Sequence, residues 1–341
     1  MRLARLIVVV AYLGLTTGAC APRSNLPPSL SDQEFWRLFE SLSEEGRGFG
    51  ISDNFVSNEP RLAENARWLH PSGWLRSSGV YLGVGPEQNF TYIARLRPRM
   101  AFVVDIRRQN ADLHLLYKAL FEISEDRVTF VSHLFSRPVP PGLGASAAID
   151  EIFDRFESSS PSAALLAATI GAVRESLLTT HRFPLQQHDL DAIGRALGAF
   201  YEAGPAIHFW GSQPVEKNTV KPSYRRLMTM PDLTAQQRSF LADDAAFRLV
   251  REMQRENRIV PVVGDFAGPH ALRRIGDYVR QHDDVVRAFY GSNVAVYLTN
   301  QQVKAFCGNL AALPAARDAS FIESDSVVTL VSKLQACGGA R

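Results

Sequence analysis

Two short apolar runs, each closing on turn residues, constrain what this chain can fold into more than any other feature. Val80-Tyr-Leu-Gly-Val-Gly-Pro-Glu-Gln-Asn89 carries the first run into Gly83-x-Gly85, and Ala101-Phe-Val-Val-Asp-Ile106 carries the second into Asp105, twenty residues after Gly85. The stretch between them is compatible with a helix over 87–96 that stops before Pro98. A strand, a glycine turn, a helix and a second strand with a terminal acid make the layout of a nucleotide-binding βαβ unit. Glycine lets a backbone approach a ligand closely, and the acid can accept hydrogen bonds from ribose hydroxyls.

The chain is long enough, at 341 residues, for one large α/β domain or two smaller ones. Its 46% hydrophobic and 21% charged residues provide for a sizeable core. A net charge of +2, with arginines spread along the chain, argues against a nucleic-acid partner.

Residues 1–20 have the form of a signal peptide: Arg2 and Arg5 make a basic start, Leu6 to Leu15 is apolar, and small residues precede Cys20. Ten apolar residues are too few to span a bilayer. Ala19-Cys20 resembles a bacterial lipobox, which predicts an exported envelope lipoprotein held to the membrane through a lipidated Cys20. The alternatives are ordinary cleavage, an uncleaved anchor, or a start further downstream that leaves the protein in the cytoplasm. With Cys20 lipidated, Cys307 and Cys337 remain, as one disulfide or as two unpaired thiols. No spacing of His and Cys predicts a metal site.

Residues 21–31 read as a tether, and residues 32–138 as the first part of an α/β core. Within that part, Asp53, Asn54, Asn58 and Glu59 are placed to line a pocket beside the glycine turn, or to serve as turn and cap residues. Residues 139–257 form a largely helical insertion, with helices expected near 147–157, 162–178 and 187–203, and one opened by Thr234 that runs to about Asn257. Residues 258–335 resume the core with strands at 258–266, 285–290 and 326–331 and a helical stretch over 294–310. The fold class is therefore α/β, a mostly parallel sheet with a helical insertion.

Ligands of such sheets bind outside the carboxyl ends of the strands, where the strand order reverses. Gly83-Val-Gly85, Asp105, Gly264-Asp265-Phe266 and Tyr290-Gly-Ser-Asn293 all fall at such ends. These residues resemble the core of the class I S-adenosylmethionine-dependent methyltransferases, which is Rossmann-like. The resemblance implies that Gly83, Gly85 and Glu87 border the cofactor, that Asp105 holds its ribose, and that Gly264, Asp265 and Phe266 meet its adenine. It implies substrate-side or catalytic roles for Tyr290, Ser292 and Asn293, with substrate entering toward Trp210 or Tyr224. Tyr81 stands where the family pattern has an acid, and Glu87 replaces its third glycine. A carboxylate there would repel a pyrophosphate but suits an ammonium, which favours S-adenosylmethionine over a dinucleotide. The chain also resembles bacterial proteins carrying Ser-Asp-Asn…Ser-Asn-Glu, Val-Val-Gly-Asp-Phe-Ala-Gly-Pro and Ser-Asn-Val-x-x-Tyr-Leu. The expected function is a methyltransferase-like protein that binds S-adenosylmethionine or a related nucleoside. The alternative is a non-catalytic envelope lipoprotein that engages a partner through its insertion.

Overall fold

The computed structural model describes residues 24–46, 54–69, 79–209 and 221–339. The expected signal peptide over residues 1–20 with Cys20, and also Asp53 and Trp210, lie outside them. The chain runs α1 (Asp32–Leu42), α2 (Leu62–Trp68), β1 (Val80–Gly83), α3 (Gln88–Leu96), β2 (Met100–Asp105), α4 (Arg108–Ile123) and α5 (Arg127–Phe135). Five helices follow: α6 (Ile149–Glu157), α7 (Ala163–Arg174), α8 (Gln187–Ala203), α9 (Tyr224–Thr229) and α10 (Asp244–Arg255). The chain then returns through β3 (Ile259–Val263), α11 (Ala271–Gln281), β4 (Val286–Tyr290), α12 (Asn300–Ala312), β5 (Ala315–Ile322), β6 (Val327–Thr329) and α13 (Leu330–Gly339).

The sheet has the order β3-β2-β1-β4-β5-β6, and all pairs are parallel except β5 with β6. Every residue of β1, β2 and β3 is buried. Helices cover both faces, which is why these strands read as continuous apolar runs rather than as alternation. Pro261 is tolerated because β3 is an edge strand. From β1 the chain moves outward through β2 to β3, then returns to the other side of β1 as β4. The crossovers leaving β1 and β4 therefore diverge, and a crevice opens at their carboxyl ends.

The helices from α6 to α10 share the core of the sheet domain rather than forming their own. Phe200 packs on Tyr117 of α4 with ring centroids 6.3 Å apart, and Tyr224 packs on Phe135 of α5 at 5.4 Å. Thus the insertion lies against the helical layer. Cys307 and Cys337 form a disulfide that joins α12 to α13.

Three expectations are corrected. Residues 24–31 are not a free tether: Leu26 and Leu30 are buried, and the Asn25 and Leu30 N–H groups donate to the carbonyls of His282 and Glu256. Thr234 does not open a helix. The Asp232 carboxylate accepts from the Thr234 and Gln236 N–H groups and closes a turn, so the helix begins at Asp244 with Asp243 as its cap. The last strand is split differently: β5 is an additional strand, and only Val327–Thr329 of the expected 326–331 pairs, while Leu330 starts α13.

Candidate functional site

A cavity of about 270 Å³ occupies the carboxyl ends of β1 to β4. Gly85, Asp105, Gly264, Asp265, Phe266, Tyr290, Ser292 and Asn293 border it, as their positions at strand ends predict. Gly83 and Glu87 do not.

The glycine turn is held from beneath by one side chain. Asn89 Nδ2 donates to the carbonyls of Val84, Gly85 and Pro86 at 3.0, 3.0 and 2.8 Å, and its Oδ1 accepts from the Tyr81 hydroxyl at 2.8 Å. A Cβ on Gly83 would lie 1.9 Å from Asn89 Oδ1, so that glycine serves the turn and not a ligand. Gly85 has φ +76°, the left-handed region that favours glycine, and its backbone faces the cavity. His114 Nε2 donates to the Gly85 carbonyl at 2.9 Å, and burial lowers the pKa of this imidazole to about 4, so it is neutral.

Glu87 is wholly buried and points away from the cavity. Its carboxyl oxygens accept the Ser57 N–H at 3.2 Å, and burial pushes its pKa up to about 8. It is therefore neutral near pH 7 and presents no charge to a ligand. Its place is structural: it fixes Ser57, which with Asn54 and Asn58 makes one wall.

Asp105 is engaged already. Arg107 Nε and Nη2 donate to its two carboxylate oxygens at 2.8 Å each, and the Arg107 N–H donates to Oδ1 at 3.0 Å. The pair is buried, and Arg107 borders the cavity beside its partner. A ligand meets a neutral bidentate pair here instead of a free carboxylate. At the end of β3, Asp265 Oδ1 accepts from the Ala267 N–H at 2.8 Å. Gly264 is required by packing, because a Cβ there would lie 2.2 Å from Ala271 Cβ. Phe266 is clasped between Phe289 and Phe306, with ring centroids at 5.0 and 5.4 Å, and Asn309 Nδ2 donates to its carbonyl at 2.8 Å.

The β4 side is built around a carboxyl group from far upstream. Tyr290 and Ser292 hydroxyls each donate to Glu59 Oε1 at 2.5 Å, and the Ser324 hydroxyl does so at 3.2 Å. Glu59 is buried, which raises its pKa, and the three hydroxyl donors oppose that rise. Gln88 Nε2 donates to the Val84 carbonyl at 2.9 Å and to the Tyr290 hydroxyl oxygen at 3.3 Å. Among the described residues, Glu59 Oε2 and Gln88 Oε1 have no partner. Ser292 has φ +48°, a left-handed conformation that residues with a side chain rarely adopt.

Tyr224 lies buried in the helical layer away from the cavity, so it cannot receive a substrate; the insertion reaches the cavity through Phe209 instead. Sequence reasoning singled out Asn54 and Asn58, which border the cavity, and Glu59, which does not line it but lies buried behind Tyr290 and Ser292; it passed over Arg107, Gln88, His114 and Gln302. Arg107 had a visible signal, since it follows the strand-end acid by two residues. Three stretches far apart in sequence converge here: Asn54 and Asn58, then Asp265 and Phe266, then Ser292 and Val294 all border the one cavity.

Among curated proteins, none matches this chain. A family match spans residues 55–138 and 186–328, well over half of the chain, and passes over the segment with α6 and α7. The chain belongs to the family described as a domain of unknown function, DUF7790.

Proposed function

We infer that the protein holds a nucleoside-type small molecule in this cavity, S-adenosylmethionine being the form that the motif resemblance implies, on a Rossmann-like, methyltransferase-like core with a helical insertion. One observation carries the reading. A glycine turn, a strand-end acid and an Asp-Phe pair, separated by up to 181 residues in sequence, surround a single cavity at the crossing point of the sheet. The strand order 3-2-1-4-5-6 is the one that dinucleotide-binding sheets use. The residues present fit such a ligand in part. Gly85 allows close backbone approach, Phe266 offers an aromatic face, and Gln88 Oε1 is a buried acceptor awaiting a donor. The Asp105–Arg107 pair can still accept hydroxyl hydrogen bonds on its carboxylate, with less charge than a free acid. When bound, S-adenosylmethionine supplies an electrophilic methyl group. The chain's own contribution is then to position and orient the acceptor and to exclude water.

A second reading is favoured by two other observations. The Cys307–Cys337 disulfide suits an oxidising compartment, where a cytoplasmic cofactor would be scarce. The apolar stretch Ala163–Thr180 is only 22% buried. Together they support an exported, non-catalytic envelope lipoprotein, held by a lipidated Cys20, that binds a protein partner through its helical insertion. Neither reading includes a nucleic-acid partner.

Calorimetric titration of residues 22–341 with S-adenosylmethionine and S-adenosylhomocysteine decides between them. The nucleoside reading expects micromolar binding that is lost on Asp265→Ala with the fold intact. Absence of binding to the folded protein moves the weight to the envelope reading.

A further inference from the structure

The hydroxyl cluster at the β4 end has the elements of an activated nucleophile, and it needs no cofactor. Ser292 follows the last residue of β4 by two positions and precedes the short helical turn Val294–Tyr297. Its left-handed backbone presents the residue at the tip of a strand-to-helix bend. Such strained bends concentrate at functional sites, and they project a serine hydroxyl above the sheet. Ser292 borders the cavity, and its Oγ–H points at Glu59 Oε1, 2.5 Å away. Glu59 is buried one hydrogen bond behind the cavity-lining Ser292 and Tyr290, within reach of a group bonded to Ser292 Oγ, and Tyr290 and Ser324 donate to the same oxygen. A nucleophile within reach of a base, with the base oriented by a third group, is the arrangement that covalent catalysis requires.

We propose that Ser292 is an acyl-accepting nucleophile, Glu59 its general base and Tyr290 the positioning residue for that base, acting on carboxylic esters with an apolar acyl or alcohol part. The apolar part would lie against Phe209, Phe266, Val294 and Leu298, which face the same cavity. In the first half-reaction Ser292 Oγ bonds to the ester carbonyl carbon and its proton passes to Glu59. The ester C–O bond then breaks, and the departing alkoxide takes that proton and leaves as the alcohol. In the second half-reaction water attacks the acyl carbon and gives a proton to Glu59. The Oγ–acyl bond breaks, Ser292 recovers the proton, and the carboxylic acid leaves. Atoms and protons balance with water as the only co-reactant. The inference is independent of the nucleoside reading, although the two share one cavity, and titration with S-adenosylmethionine reports on the other reading separately.

The test is covalent labelling of the full chain with a fluorophosphonate probe, read by adduct mass and peptide mapping. The expected result is one adduct at Ser292 with loss of fluoride, absent in Ser292→Ala and in Ser292→Gly. The glycine variant suits the left-handed backbone, so its loss of labelling cannot be ascribed to misfolding. Glu59→Gln should slow labelling about a hundredfold with an unchanged circular dichroism spectrum. Tyr290→Phe should shift the pH midpoint of the labelling rate, which a purely structural role would not move. No adduct on folded wild-type protein, an adduct that survives Ser292→Gly, or an unchanged rate in Glu59→Gln would each overturn the proposal.

Discussion

The two sides of the cavity differ in what their polar groups are already doing. On the side of β1 to β3, the residues that make the recognisable motif are engaged within a few positions of themselves. Asp105 is bound twice by Arg107, Asp265 caps its own turn, and Gly83 and Gly264 answer to Asn89 and Ala271. On the side of β4, the groups come from 231 and 233 residues away, and the buried Glu59 Oε2 keeps unused capacity. A motif can thus be legible because it is local, while free chemical capacity lies where distant segments meet. Glycines and acids at strand ends are demanded by turns and packing whether or not a ligand binds.

The largest effect should come from breaking the closed side. Arg107→Ala leaves the Asp105 carboxylate buried without its partner. It should cost about 3–5 kcal/mol in guanidinium unfolding, and adding Asp105→Ala should restore much of that. A loss near zero would mean that this side is open after all. Next is Glu87, whose carboxyl titrates near 8 in the folded chain against an ordinary 4.5. The folded state keeps a proton that the unfolded chain releases, so this group's contribution falls as pH rises from about 4.5 to about 8. Glu87→Gln should remove that fall, up to about 5 kcal/mol in total, seen as higher relative stability at alkaline pH. A variant as pH-dependent as the wild type would contradict the buried, neutral assignment.

Gly264→Ala forces a Cβ against Ala271 and should cost about 2 kcal/mol, detectable as a lowered Tm. An unchanged Tm would show that α11 can move aside and that the glycine answers to a ligand. The smallest effect belongs to the β4 side: Glu59→Gln keeps an acceptor for Tyr290 and Ser292 and should alter stability by about 1 kcal/mol or less. A severe loss there would make the cluster a structural device.

How much was legible in the sequence follows the same division. The paired strands β1 and β2, the helix between them, β3 and β4 were readable because buried parallel strands form unbroken apolar runs. Strand β5 escaped because it opens on two half-buried alanines and the exposed, charged Arg317 and Asp318, and burial begins only at Ala319. The helix start at Asp244 was misplaced because Asp232 captures the backbone that Thr234 would have capped. Glu59 was visible as a candidate pocket residue, yet its bonds to Tyr290 and Ser292 depend on the pairing of β1 with β4, which no local pattern encodes. The engagement of Asp105 was readable from Arg107, two residues on, once the end of the strand is fixed.

On the reading proposed above, the cavity at the strand ends is where this protein meets its ligand. Hydrogen exchange of the full chain with and without S-adenosylmethionine tests it most directly. Slowed exchange is expected in residues 84–88, 264–268 and 290–298, the backbone that borders the cavity, with α7 unchanged. Protection confined to residues 139–205, or none at the strand ends, would contradict it.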